Sequence, residues 1–222
     1  QYESVVASNP AGEYADDAQY LVGLCYYKAA SEDSALLEKS VSAFQKSIDE
    51  YPESPNAVES YYGLALAYRD IAQDGNAELW PKVFETADVA HEKFGSSDDR
   101  TVQKTLGHID LVKATAIEKQ GLDSEEQKDE LIASLRRIVE NTGAPEESRS
   151  RAQLKVGHLF YGAGEHDKAI AEYQKFVQMF PNNELVTNAL YQTSVSHYQI
   201  GQNSADQQTK QLAFQNTVGA AM

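Results

Sequence analysis

The chain has 222 residues, of which 41% are hydrophobic and 24% are charged, as in ordinary globular proteins. Its formal charge of -15 argues against nucleic-acid binding, which requires a basic face. The favoured interpretation of this charge is an acidic solvated surface, and a basic partner is the alternative. No apolar run approaches the ~20 residues of a membrane span. Cys25 is the only cysteine, so an intrachain disulfide and a cysteine metal cluster are excluded.

The first ten residues are typical of the second half of a helical hairpin. Tyr2, Val5 and Pro10 have the same spacing as the apolar residues and the proline that end the segment at Pro181. The first half of such a hairpin is not present before Tyr2. We therefore expect the chain to be a piece of a longer protein.

The rest of the chain alternates between apolar residues at helical spacing and short polar or glycine-rich loops. We expect Ser54 to cap a helix that has Pro55 at its first position. Trp80, which precedes a proline at a helix start, is expected to pack against its own helix. The predicted helices lie within residues 13–28, 36–52, 54–72, 78–95, 98–121, 124–143, 151–162, 165–181, 184–201 and 207–218.

Each predicted helix has one apolar side that we expect to face a neighbouring helix. Acidic pairs at Asp98-Asp99 and Glu125-Glu126 fall near helix starts, where capping and the helix dipole favour them. The residues predicted to face inward are Ala18, Val22, Gly23, Tyr26, Val41, Phe44, Ile48, Val83, Ala87, Ala90, Leu131, Leu135 and Ile138.

The positions that close the second helix of each pair recur roughly every 40 residues, which indicates a helical solenoid. They are Pro10, Pro52, Gly95, Gly143 and Pro181. We therefore predict an all-α fold without strands, built as a single solenoid domain over 1–222. Its segments are 1–10, the end of a preceding repeat, and the repeats 11–52, 53–95, 96–143, 144–181 and 182–222.

Residues 150–183 resemble the tetratricopeptide repeat, a unit of two helices and 34 residues. Small residues stand at Gly157 and Ala169, and Pro181 closes the unit. Phe160 and Tyr173 carry the aromatic positions of the family, while the first position, often Trp, is Gln153. The resemblance is weakest over 106–121. It implies a right-handed superhelix, or α-solenoid, of about five hairpins.

Three segments are more specifically similar to repeats of bacterial cell-envelope proteins. The similarity is to the periplasmic partner of the Tol-Pal system and to the lipoprotein of the outer-membrane assembly machine. It implies a location in the periplasm or cell envelope, and a cytoplasmic location is the alternative. The segments are SNPAGEYADDAQYLVGLCYYK (8–28), IDEYPESPNAVESYYGLALAY (48–68) and MFPNNELVTNALYQTS (179–194).

In the tetratricopeptide family, the first helix of each hairpin lines a concave face that usually binds peptides. The resemblance places these groove positions on a wall that is rich in tyrosine and poor in charge, which suits protein binding. The alternative is that half of these tyrosines only pack between neighbouring repeats. The positions are Tyr20, Leu24, Tyr27, Tyr62, Leu66, Arg69, Leu154, His158, Tyr161, Tyr191, Val195 and Tyr198.

The clamp of Lys and Asn residues with which some family members hold a C-terminal carboxylate is not visible. Lys28 and Arg69 are the only basic residues near the matching positions of the first two repeats. We therefore do not expect this mode of binding.

Catalytic motifs are equally absent from the sequence, so we predict neither an enzyme nor a bound cofactor or metal. We expect Cys25 to be a buried core thiol, because no basic neighbour is evident to lower its pKa. The five histidines lack metal-binding spacing: they are His91, His108, His158, His166 and His197.

The leading hypothesis is a non-catalytic scaffold that binds a protein or peptide segment on its concave face. A second hypothesis, of a different class, is a structural segment of a larger envelope assembly that stacks through its open ends, because neither end has an evident polar cap. An enzyme that uses the groove as a cleft is the least favoured alternative, since no nucleophile is paired with a base. The oligomeric state is left open.

Overall fold

A computed structural model describes residues 1–121 and 124–220, with side chains as far as residue 217. All regular structure in these residues is helical, as predicted. A short 3-10 helix (Ala77–Leu79) precedes α5. The α-helices are α1 (Tyr2–Ser8), α2 (Ala15–Ala29), α3 (Leu36–Glu50), α4 (Ala57–Gln73), α5 (Trp80–Phe94), α6 (Arg100–Gln120), α7 (Glu125–Glu140), α8 (Glu146–Gly162), α9 (His166–Met179), α10 (Val186–Asn203) and α11 (Gln207–Ala220).

The chain forms two compact units, Gln1–Asp123 and Ser124–Met222. In each unit, every helix packs against the next one along the chain. In the first unit, α4 also packs against α2 and α6, so the first helices of successive hairpins lie side by side. The prediction of an all-α chain of consecutively packed helices is confirmed. The predicted repeat 96–143 spans the boundary, since α6 ends the first unit and α7 begins the second.

An aromatic ring packed on glycine brings the helices of a hairpin close together. In the first unit Phe44 of α3 is fully buried between Gly23 and Gly63, and a Cβ added to either glycine would lie within 2.6 Å of its ring. In the second unit the ring of Tyr173 lies on Gly157, where an added Cβ would be 2.4 Å away. Such distances are far below van der Waals contact, so only glycine fits these helix crossings.

A buried glutamine ties the two helices of a hairpin together at the position where the family often has Trp. The side-chain amide of Gln19 donates a hydrogen bond to the backbone carbonyl of Ala43 at 3.0 Å. Gln153 donates the equivalent bond to the carbonyl of Glu172, also at 3.0 Å. Because both side chains are buried, these bonds satisfy amide groups that would otherwise destabilise the fold.

The loops after Pro52 and Pro181 bond back to the preceding hairpin. The Ser54 hydroxyl donates to the Asp16 carboxylate at 2.8 Å, and Asn183 donates to the Ser150 hydroxyl at 3.3 Å. Ser54 therefore belongs to a turn, and α4 begins at Ala57 after Asn56. The prediction that Ser54 caps this helix with Pro55 at its first position is wrong by two residues, because the serine hydroxyl is used in the turn.

The predicted acidic helix starts are confirmed. The Asp99 carboxylate accepts hydrogen bonds from the backbone N–H groups of Thr101 and Val102 at the start of α6. Ser124 forms a capping box with Gln127 at the start of α7, with Glu125 in the first turn.

The predicted inward residues form most of the core, with exceptions on α2 and α3. Val41 and Tyr26 are only half-buried. On α1, Tyr2 and Val5 are each 42% exposed. Cys25 is exposed, so the prediction of a core thiol is wrong: it lies beside, and not within, the row of buried residues Ala18, Val22 and Gly23 on α2.

Trp80 is 7% exposed and packs in a cluster with Val83 of its own helix, Ala65 of α4 and Val112 of α6. Its contacts thus extend to neighbouring helices, beyond the packing on its own helix that was predicted.

Candidate functional site

The predicted groove residues of the first two hairpins lie on one face of the first unit. Each is half-buried, because its inner part packs on the core below and its outer part remains accessible. Four of them pack against the core cluster around Phe44, and Leu66 packs against the cluster around Trp80. We call this surface the tyrosine face. It also includes His108 and Leu111 of α6, which are described below. Its residues on α2 and α4 are Tyr20, Leu24, Tyr27, Tyr62, Leu66 and Arg69.

A hydrogen-bonded triad fixes one end of the tyrosine face. The Tyr27 hydroxyl of α2 donates to one carboxylate oxygen of Asp70 on α4 at 2.6 Å. Arg69 donates from Nε to the other Asp70 oxygen at 2.7 Å. Burial, followed by the hydrogen bond to Asp70, raises the pKa of Tyr27 well above its usual value, so this hydroxyl remains a donor at neutral pH. The triad therefore holds two neighbouring hairpins in a fixed arrangement.

Helix α6 adds further side chains to the tyrosine face, beside those of α2 and α4. The ring of His108 lies 5.6 Å from that of Tyr62, and one turn further along α6 Leu111 is 48% exposed. Burial, followed by the positive charge of Lys104, lowers the pKa of His108, which keeps its imidazole neutral at pH 7. The sequence analysis did not predict His108 and Leu111 as site residues, because 106–121 departs most from the repeat pattern. The sequence signal that could have indicated them is an apolar residue three positions after a histidine.

The carboxylate of Glu59 lies among the side chains that α2, α4 and α6 contribute to the tyrosine face. Glu59 of α4 accepts a hydrogen bond from the Thr105 hydroxyl of α6 at 3.4 Å through one oxygen. The pKa of Tyr20 on α2 is raised, mainly by burial and also by this carboxylate. The other Glu59 oxygen is buried, and no hydrogen-bond partner is found for it in the described part of the chain.

The predicted groove residues of the second unit differ in exposure. Leu154 is 7% exposed and offers almost no surface to a partner. His158 is exposed, with its ring edge-on to Tyr173 at 5.7 Å, and Tyr161 packs against His166 at 5.2 Å. On α10, Val195 is half-buried, while Tyr191 and Tyr198 are 63% and 45% exposed.

Two clefts of the first unit lie away from the tyrosine face. A cleft of about 810 Å³ opens between α1 and α3 above Val22 and Tyr26 of α2. A similar cleft of about 350 Å³ opens between α3 and α5 above Leu64 and Tyr68 of α4. Both clefts have mixed charge at their rims, with Lys and Glu or Asp on the second helices. No residue of the tyrosine face lines either of these two clefts.

Within 1–121 and 124–217, no group of three or more His, Cys, Asp or Glu side chains is arranged to hold a metal ion. A membrane-spanning helix was also sought, and none of the described helices is long and apolar enough.

These features define a protein of paired-helix repeats. Two of its segments, 17–54 and 151–183, match the family model of the tetratricopeptide repeat. They contain the hairpins α2–α3 and α8–α9, in which the glycine-aromatic and glutamine contacts recur. Each unit therefore contains one segment that matches the tetratricopeptide family model. No curated protein matches the chain.

Several solved structures are similar to this chain over most of its length, at low sequence identity. The crystal structure of MamA is 18% identical, covers 91% of this chain and 90% of its own, and has a TM-score of 0.50. That of YrrB, described as a TPR protein with an unusual peptide-binding site, is 16% identical, with coverage of 99% and 91% and a TM-score of 0.47. A putative kinesin light chain from Podosopora anserina with nearly identical TPR-like repeats is 14% identical, with coverage of 94% and 96% and a TM-score of 0.49.

Proposed function

We propose that this protein is a non-catalytic scaffold that binds a segment of another protein on the tyrosine face of its first unit. The observation that carries the proposal is that three successive first helices, α2, α4 and α6, place half-exposed apolar and aromatic side chains side by side. Tyrosine and leucine in such a setting offer a large contact area at low entropic cost. The tetratricopeptide repeats are consistent with this role.

The tyrosine face is already ordered without a partner. Tyr27, Asp70 and Arg69 fix its one end by hydrogen bonds, and the ring contact of Tyr62 with His108 holds its middle. Side chains that are held before binding lose less entropy when a partner arrives, which favours affinity. Because the exposed apolar side chains are spread over three helices, the face favours an extended or helical segment that lays several apolar side chains on it.

The proposal can be tested with peptides selected on the immobilised protein from a phage-displayed library of random sequence. Leu111→Glu places a charge on an exposed part of the face and should weaken the selected peptides at least tenfold, or about 1.4 kcal/mol. Val5→Glu is the matched control, since Val5 is 42% exposed on α1 and Leu111 is 48% exposed. Tyr62→Ala should act in the same direction as Leu111→Glu. Selected peptides that bind Leu111→Glu and Tyr62→Ala as tightly as the original chain would rule out the face.

We also propose that the protein works in a bacterial cell envelope, close in type to the Tol-Pal and outer-membrane assembly repeat proteins. The support is the resemblance of 8–28, 48–68 and 179–194 to repeats of those proteins. Fractionation of cells that express the full-length gene product would test it. Recovery in the periplasmic or membrane fraction is the expected result, and recovery with the cytosol would overturn this location.

A further inference from the structure

The negative charge of the chain is concentrated in the first unit, which carries the tyrosine face. Of the 34 Asp and Glu residues, 22 lie in this unit, together with only 10 of the 19 Lys and Arg residues. The first unit therefore carries -12 of the formal charge of -15. A field of this sign attracts a basic segment towards the first unit and repels an acidic one.

Few charged residues belong to the tyrosine face, and two of those lie in an ion pair with each other. Arg69 lies 2.6 Å from Asp70, which also accepts the hydrogen bond of the Tyr27 hydroxyl. The nearby Lys104 of α6 is exposed, and no ion pair joins it to Glu59 among the described residues. Glu59 is thus a carboxylate of the face for which the described part of the chain supplies no cation.

Most of the hydrogen-bonding capacity of the Glu59 carboxylate is unused. An ionised carboxylate has about four acceptor positions. One Glu59 oxygen accepts a bond from the Thr105 hydroxyl at 3.4 Å, which is long for such a bond, and the other is buried without a partner among the described residues. A charged oxygen that is withdrawn from water and unpaired costs free energy, and a donor on a bound partner would recover it.

We propose that the segment bound by the tyrosine face is basic, and that a Lys or Arg side chain of this segment pairs with Glu59. This inference rests on the function proposed above for the face. The apolar side chains of the segment pack on the tyrosines and leucines around Glu59, while its cation supplies the donors that the carboxylate lacks. Because the Thr105 bond is long, the carboxylate can turn towards the incoming cation at little cost.

The side chains around Glu59 strengthen such a pair. Tyr20 is half-buried near the carboxylate, and burial, followed by the negative charge of Glu59, raises the pKa of Tyr20. Charges that are partly shielded from water attract each other more strongly than fully exposed ones. Tyr62 lies three positions after Glu59, on the same side of α4. The stem of a Lys or the plane of an Arg can therefore lie on the Tyr62 ring while the charged end reaches Glu59.

The peptides selected on the immobilised chain, as described above, test this inference. Among those that Leu111→Glu weakens, we expect Lys and Arg to be enriched over the unselected library. Glu59→Gln, which removes the charge and keeps the size of the side chain, should weaken these peptides at least about fivefold. Glu38→Gln is the matched control. It removes the same charge from an exposed position of α3, at the cleft between α1 and α3, and should change the affinity less than about twofold.

A double-mutant cycle then locates the pair. Each Lys or Arg of a selected peptide is replaced in turn by Met, which keeps the apolar stem and removes the charge. One of these replacements should weaken binding to the original chain by about the same factor as Glu59→Gln, and should have almost no further effect on binding to Glu59→Gln. Far-UV circular dichroism establishes that the variants are folded, and the enrichment and the peptide replacements need only the original chain.

The outcomes separate this inference from the proposed function. Selected peptides that depend on the face but contain no excess of Lys and Arg would overturn the inference and leave the function of the face intact. Equal losses with Glu59→Gln and Glu38→Gln would also overturn it, since they would reflect a general attraction to the acidic unit. If neither Leu111→Glu nor Tyr62→Ala weakens the selected peptides, the proposed function itself fails, and this inference fails with it.

Discussion

The hairpin α2–α3 of the first unit and the hairpin α8–α9 of the second share their internal construction but differ in how they are tied to their neighbours. Tyrosines make two of the ties of α2–α3: Tyr27 bonds to Asp70, and Tyr51 donates to the carbonyl of Pro10 at 2.8 Å. The ties of α8–α9 include an ion pair, with Arg136 of α7 lying 3.0 Å from Glu172 of α9.

The difference shows which features the repeat requires and which it leaves free. Glycine under an aromatic ring and a glutamine on a backbone carbonyl recur in both hairpins, because they set the distance between two helices. The contacts between neighbouring hairpins require only a polar or aromatic interaction, so their chemistry can differ from one hairpin to another. A tie made by tyrosine also leaves an aromatic surface, whereas a tie made by an ion pair leaves a charged one.

The largest expected effect comes from removing the shared ring in the first unit. Phe44→Ala should lower the free energy of unfolding by about 3–5 kcal/mol, because Phe44 is fully buried and the space between two glycines cannot collapse around alanine. Urea denaturation followed by circular dichroism measures it. A loss below about 1 kcal/mol would mean that the ring is not a central part of the core.

Substitution of Gly63, which lies against the Phe44 ring, should have a smaller effect on the free energy of unfolding. Gly63→Ala should destabilise the chain by about 1–2 kcal/mol, since the strain of a Cβ placed 2.3 Å from the Phe44 ring outweighs the better helix propensity of alanine.

Gly162→Ala is the control for this substitution, because Gly162 lies in α8 and a Cβ there meets no atom within 4 Å. It should stabilise the chain by up to about 1 kcal/mol. Equal effects at both glycines in urea denaturation would contradict the close packing at Gly63.

These contacts separate what the sequence could predict from what it could not. The positions of the helices and most of the core follow from apolar periodicity, and Gly23, Phe44 and Tyr173 stand where the repeat resemblance placed them. The exposure of Cys25 was not predicted, because a small residue in an apolar helix can lie on either side of it. The turn at Ser54 was missed because its hydroxyl has a partner, Asp16, that is distant in sequence.

For the candidate site, too, one part could be predicted from the sequence and another could not. The resemblance predicted groove residues on α2 and α4, but their degree of burial depends on α6, whose departure from the repeat pattern concealed His108 and Leu111. It also gave Leu154 and Tyr191 the same role, although one is buried and the other exposed. Exposure is set by the neighbouring helix, and a pattern confined to one helix does not contain that information.

The two kinds of tie should respond differently to salt. Tyr27→Phe removes a hydrogen bond to a carboxylate and should cost about 1 kcal/mol, both at low salt and in about 1 M salt. Arg136→Gln removes a partly exposed ion pair and should cost about 0.5 kcal/mol at low salt and almost nothing in about 1 M salt. Urea denaturation at both salt concentrations compares them. The same salt response in the two variants would remove the distinction between the units.

The smallest expected effect on stability concerns the Tyr173 hydroxyl, the group by which the ring of Tyr173 differs from that of Phe44. Tyr173 is fully buried, and its hydroxyl has no hydrogen-bond partner among the described residues, whereas the equivalent ring in the first unit is phenylalanine. A buried hydroxyl without a partner costs free energy, so Tyr173→Phe should be neutral or stabilise the chain by about 0.5 kcal/mol. Thermal and urea denaturation measure this change. A loss of more than about 1 kcal/mol would show that the hydroxyl has a partner, and the two hairpins would then differ in their cores as well as in their ties.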